Sequence, residues 1–116
     1  MSPSASGAAD SDPVTPVIAL TAGGNELTIR LGGELDGTTA PALAAQLGSV
    51  ISVGPVQRVV VDLSDVEFCD AATVRVFVVL AAALDGRGAA LRLHGARPHI
   101  EWLLRQLGAA DLLSDR

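Results

Sequence analysis

The chain has no lysine and no tyrosine, one cysteine, two phenylalanines and one tryptophan. A lone cysteine rules out an internal disulfide and fits a reducing compartment. With so few aromatics there is no platform on which bases could stack, and a net charge of −5 opposes a phosphate backbone, so nucleic acid is not an expected partner. Without lysine there is no phosphate-binding P-loop, and Gly23-Gly24 and Gly32-Gly33 lack the spacing of a nucleotide cradle. His94 and His99 stand five apart with no cysteine or acidic residue at ligand spacing, so neither a metal nor another cofactor is expected. Met1 to Asp12 has no apolar core of a secretory leader, and the longest apolar run, Val76 to Leu84, is too short for a bilayer. The expectation is a soluble, cytoplasmic protein without direct membrane insertion.

What is present is apolar material: 49% of the 116 residues are hydrophobic, enough for one domain with a core of Val, Leu, Ile and Ala. Residues 1–16, rich in Ser, Ala and Pro, read as a flexible tail. Residues 17–113 read as an α/β domain in the order β-β-α-β-α-β-α. Val17 to Thr21 is a strand, Ala22 to Asn25 a turn, and Glu26 to Gly32 an alternating strand paired back on the first. The glycines at Gly32-Gly33 allow a tight exit. Thr38 or Thr39 caps a helix with Pro41 in its first turn and a stripe of Leu43, Leu47, Val50 and Ile51; Gly54-Pro55 ends it. Gln57 to Leu63 is a third strand whose Val59-Val60-Val61 run suits cover on both faces. A turn at Ser64-Asp65 follows.

After Asp70, a good N-cap, Ala71 to Asp85 reads as helix without Gly or Pro. Ala89 to His94 is a fourth strand. Pro98 opens a last helix burying Ile100, Leu103, Leu104 and Leu107, with Trp102 beside them, and Leu112-Leu113 pack back on the body.

The helix after Asp70 is the unusual element. One face carries Val74, Phe77, Val78, Ala81 and Leu84, the expected core stripe. The other carries Ala72, Val76, Val79 and Ala83, with Leu80 at its margin. A loop or the N-terminal tail could cover that second face, but in so short a chain a docking surface for a partner is the favoured reading. On that reading Val76→Asp leaves the fold intact and abolishes binding. Two chemical alternatives are weaker. Cys69, before a helix N-terminus, suggests a small thiol enzyme, but Asp70 beside it raises a thiol pKa. Asp36 and Asp70 both follow strands and suggest acid–base work, yet each has a simpler role as loop or helix cap.

These residues resemble the STAS family, the bacterial anti-sigma factor antagonists. The resemblance rests on Gly33-Glu34-Leu35-Asp36 with Thr39 and Ala40, on Val60 to Ser64 through Phe68-Cys69-Asp70, and on Gly88 to Leu91 into Arg97-Pro98 with Leu104 and Leu107-Gly108. It implies a mixed sheet of about four strands with helices packed on it. It also implies a partner-switching protein that binds an anti-sigma factor, often an ATP-using serine kinase, and is released by phosphorylation just after the motif Asp. Here Ala71 and Ala72 stand at the family's acceptor positions and cannot be phosphorylated. Thr73, the nearest hydroxyl, could substitute as the phosphorylated residue. The partner-binding residues implied are Asp36, Asp70, Ala72, Thr73, Arg75, Val76, Val79 and Leu80. A STAS subunit of a transporter or signalling complex, outside any sigma pathway, is the alternative.

Overall fold

The computed structural model describes residues 17–52 and 56–113, with side chains from Leu20 onward. The expected tail, 1–16, and the Gly54-Pro55 helix stop lie outside the described residues. Strands β1 (Val17–Gly23), β2 (Glu26–Leu35), β3 (Arg58–Cys69) and β4 (Ala90–His94) form one sheet in the order β1-β2-β3-β4. Helices α1 (Ala40–Ile51), α2 (Ala71–Asp85) and α3 (Pro98–Gln106) follow β2, β3 and β4. The β1–β2 pair is antiparallel, closed by a turn in which Gly24 takes φ +61°, and β2–β3 and β3–β4 are parallel. A parallel pair needs a crossover, and α1 and α2 supply it.

Leu27, Ile29 and Leu31 of β2, Val59, Val61 and Leu63 of β3, and Leu91 and Leu93 of β4 are buried, while the alternate residues Arg30, Arg58, Arg92 and His94 are exposed. The sheet therefore buries one face, against Leu43 and Leu47 of α1, Phe77 and Leu84 of α2, and Ile100 and Leu104 of α3. Val60 is only half-buried, so the valine run is not covered on both faces.

Several local expectations change. No turn interrupts β3 at Ser64-Asp65. The strand continues to Cys69 and absorbs its extra residues as irregularities opposite Arg30–Gly32 and Gly33–Glu34. The strand β2 also runs on through Gly33 to Leu35 instead of leaving at the glycines. Trp102 and Leu107 point outward, 62% and 44% exposed, because α3 buries only the narrow stripe through Ile100 and Leu104. Leu112 and Leu113 do pack back on the core, and Leu113 bridges Leu93 of β4.

Candidate docking site

The sheet brings the relevant residues together. Leu35 and Cys69 are parallel partners at the ends of β2 and β3, so the residues after them, Asp36 and Asp70, enter neighbouring loops. The Asp70 backbone N–H donates to the Leu35 carbonyl at 3.2 Å. Its carboxylate works in two directions. Oδ1 accepts the Thr73 N–H at 3.2 Å as the α2 N-cap, and Oδ2 accepts the Gly37 N–H at 3.0 Å from the other loop. Asp36 closes its own loop, with Oδ1 accepting the N–H groups of Thr38 at 2.9 Å and Thr39 at 3.2 Å. Thr39 precedes α1 but makes no side-chain cap bond; its hydroxyl donates to the Asp36 carbonyl and accepts the Asp36 N–H. Both carboxylates are thus engaged by backbone donors, which suits a rigid platform and leaves no positioned acid–base pair.

The helix α2 rises from that platform. Thr73, Val74, Phe77 and Leu84 are buried, so the core stripe is centred near Phe77. That centre corrects the wheel in two places. Val78 lies about 100° around the helix from Phe77 and is 43% exposed rather than core. Val76 and Leu80, expected on the open side, border Thr73 and are half-buried against the core. The open side runs instead through Ala71, Arg75, Val78, Val79 and Ala82, all exposed, with Val79 at 59%. Ala72 is half-buried on the flank facing α1. There a groove of about 550 Å³ lies between Gly37, Ala40, Pro41 and Ala44 on one bank and Ala71, Ala72, Arg75 and Val76 on the other. Sequence reasoning missed the α1 bank. Its signal was the small pair Ala40 and Ala44, one turn apart.

The Thr73 hydroxyl is fully buried and lies 3.4 Å from Asp70 Oδ1. An enzyme could reach it only by opening the first turn of α2. Cys69 is also buried; that burial, and then the charge of Asp70, push its thiol up to about 11. It stays protonated at neutral pH and is a poor nucleophile. The histidine that might have served it is occupied elsewhere: the His99 Nε2 lies 2.8 Å from the Glu67 carbonyl. On the far side of β3, burial raises the Asp62 carboxyl. The Ser64 hydroxyl and N–H outweigh that burial, together with the charges of His94 and Arg30, and hold the group below its ordinary value. Gly95, at φ +75°, passes so close that a Cβ would sit 3.1 Å from that carboxylate. No described helix is long and apolar enough to cross a membrane.

The fold is shared with known proteins. It is similar to the unphosphorylated anti-sigma factor antagonist SpoIIAA of Bacillus (TM-score 0.74, 20% identity, 84% of this chain and 86% of that one). It is similar to an anti-sigma factor antagonist from Mycobacterium paratuberculosis (TM-score 0.72, 24% identity, 90% and 89%). It also matches part of the murine anion transporter Slc26a9 (TM-score 0.63, 10% identity, 76% of this chain but 14% of that one). No curated protein matches the sequence. The family model described as "Mlab, STAS domain" matches residues 18–114, nearly the whole described domain, and the chain belongs to the STAS domain family.

Proposed function

We propose that this STAS domain is a non-enzymatic docking module that binds an anti-sigma factor and so regulates sigma-dependent transcription. The observation that carries the reading is the open side of α2, where Val78 and Val79 stand 43% and 59% exposed side by side in mid-helix, next to the groove lined by Ala72, Arg75 and Val76. The groove beside Ala72 extends that surface, Val76 and Leu80 support it from below, and Arg75 with the Asp36 and Asp70 loops forms its polar rim. By the resemblance, Ala71 and Ala72 stand where the family carries its phosphorylated hydroxyl; Thr73 is buried. A phosphate would add about −1.5 to −2 charge on this rim and disrupt an apolar contact. On this reading, with no accessible acceptor at positions 71–73, the protein binds its partner constitutively.

Val79→Asp is a better test than Val76→Asp, because Val76 also contributes to the core. The full chain is incubated with purified anti-sigma factors of the host, with and without ATP. The expected result is a stable complex in both conditions, no phosphate on Thr73, and loss of the complex for Val79→Asp. A Val79→Asp protein that is folded and still binds would remove α2 as the interface.

A second reading is favoured by the family model's Mlab description and by the shared fold of the Slc26a9 segment. Here the same face would hold the domain in a membrane transport complex. Affinity capture of the wild type against Val79→Asp separates the two, since the proteins lost are either anti-sigma factors or transporter subunits.

A further inference from the structure

The tripeptide Leu-Asp-Gly occurs twice, at Leu35-Asp36-Gly37 and at Leu84-Asp85-Gly86. Aspartate before glycine is the pairing in which a backbone nitrogen most readily attacks the preceding side chain, because glycine has no Cβ to shield it. The Gly nitrogen adds to the Asp Cγ, a carboxyl oxygen leaves as water with the amide proton, and a succinimide ring forms. A second water opens the ring. Opening at the α-carbonyl leaves the chain joined through the aspartate side chain, an isoaspartate of unchanged mass. The backbone does not demand glycine at 37: its φ is not positive, and a Cβ there would meet nothing within 4 Å.

The fold holds the two copies differently. Asp85 is exposed at the end of α2, and the Gly86 N–H donates to the Ala82 carbonyl at 3.1 Å, a helical bond. Gly37 lies in an exposed loop, and its N–H donates at 3.0 Å to Asp70 Oδ2, a side chain 33 residues away. Asp36 Oδ1 accepts the N–H groups of Thr38 and Thr39. The attacking nitrogen is thus tied to the neighbouring loop, and the carboxyl it would attack is held by the next two residues. Asp70 also caps α2 through Thr73, so the tie lasts only as long as the first turn of that helix.

We infer that Asp36–Gly37 is a site of isoaspartate formation, kept closed by the Asp70 carboxylate across the loop and released when the first turn of α2 opens. The chemistry stands apart from the docking reading; only its consequence for a partner rests on it. A β-linked residue 36 adds one methylene to the main chain between β2 and α1. Gly37 is then drawn off Asp70, and the Gly37–Ala44 bank of the groove shifts against the Ala71–Val76 bank. The rim around the open side of α2 is lost without any enzyme acting on it.

The full chain is incubated for several weeks at neutral pH, folded and in urea, with circular dichroism as the control for folding. Trypsin then releases residues 31–58 and 76–87, each with one aspartate, and isomers of equal mass separate by reversed-phase chromatography. In urea Asp36 and Asp85 isomerise at similar rates. In the folded chain Asp36 isomerises far more slowly than in urea. Asp70→Ala raises the folded rate at Asp36 about tenfold, the change in open population expected when such a cap is lost, and leaves the rate at Asp85 as it was. Asp70→Asn, whose side-chain carbonyl keeps the Thr73 bond but offers Gly37 no second acceptor, raises it as well. Adding Gly37→Ala to either variant suppresses the product. Asp36 isomerising as fast folded as in urea, no rise at Asp36 in Asp70→Asn, or a rise at Asp85 in step with Asp36 in both variants would each overturn the inference. The docking reading fails separately, since these rates need no partner. An isoaspartyl-36 chain that still binds the anti-sigma factor removes this loop from the docking rim and leaves the Asp70 tie standing. Binding lost on Val79→Asp, with Asp36 unprotected in the wild type, does the reverse.

Discussion

The inner and outer sides of α2 are built from much the same residues. Val74, Phe77 and Leu84 line one side and are buried; Val78, Val79 and Ala82 line the other and face water. Nothing in hydrophobicity separates Val74 from Val79. The difference is supplied by what each meets, the sheet residues below in one case and solvent in the other. Covering the exposed part of Val79 with a partner is worth about 1 kcal/mol, a gain the isolated domain leaves unused. The inner side should therefore answer to stability measurements and the outer side to binding measurements, and the variants below are chosen to break that division.

The largest effect belongs to Phe77, which is fully buried in the centre of the stripe. Phe77→Ala should cost about 3–5 kcal/mol, read as a fall in the urea midpoint at unchanged slope. A cost below about 1 kcal/mol would mean that α2 does not pack on the sheet as described. Cys69 comes next, under the start of the same helix. Its thiol, raised from 9.0 to about 11 by burial and by Asp70, lends stability that is fully present below the unfolded pKa and is lost as pH rises through the folded one. Between those values the domain should lose roughly 2 kcal/mol that Cys69→Ala does not lose. The window is unusually clean because the chain has no lysine or tyrosine to titrate in it. Identical pH profiles for the two proteins would place Cys69 in water.

Much of this was readable in the residues, and the failures have a common cause. Element order, the antiparallel first hairpin, the Asp70 cap and the direction in which Asp70 moves the Cys69 thiol follow from local chemistry: alternation, turn residues, a capping carboxylate, a carboxylate beside a thiol; the larger effect on that thiol, burial, does not. What failed depended on where a neighbour sits. A helical wheel fixes that Val74 and Val78 lie close in azimuth, but not that the sheet contact is centred on Phe77, which leaves Val78 outside and draws Val76 and Leu80 partly in. The Ser64-Asp65 pair looks like a turn, yet pairing with β2 keeps that segment extended, and Asp65 takes Arg30 of β2 as its ion-pair partner. The groove joins residues of two helices far apart in sequence, so no local pattern could have outlined it.

Asp70 sits where the two sides begin and should show an intermediate effect. Asp70→Ala removes the cap bond to Thr73 and the tie to Gly37, at a cost of about 1–2 kcal/mol. Amide exchange is the sharper readout. The N–H groups of Thr73 and Gly37 should lose protection together while that of Phe77 keeps its own, because one carboxylate serves both loops.

The smallest effect on stability, and the most telling for the division, belongs to Val79→Asp. A carboxylate at an exposed mid-helix position loses a little helix propensity and little burial, so the urea midpoint should move by no more than about 0.5 kcal/mol. Its nearest charged neighbour one turn back is Arg75, at the i, i+4 spacing that favours an ion pair, which offsets part of that loss. The same substitution puts a charge at the centre of any apolar contact, where an unpaired carboxylate is expensive to bury. Stability nearly unchanged and binding abolished is the result that keeps the two sides distinct. Should Val79→Asp instead unfold the domain as Phe77→Ala does, the outer side is part of the core in solution, and the docking face falls with it.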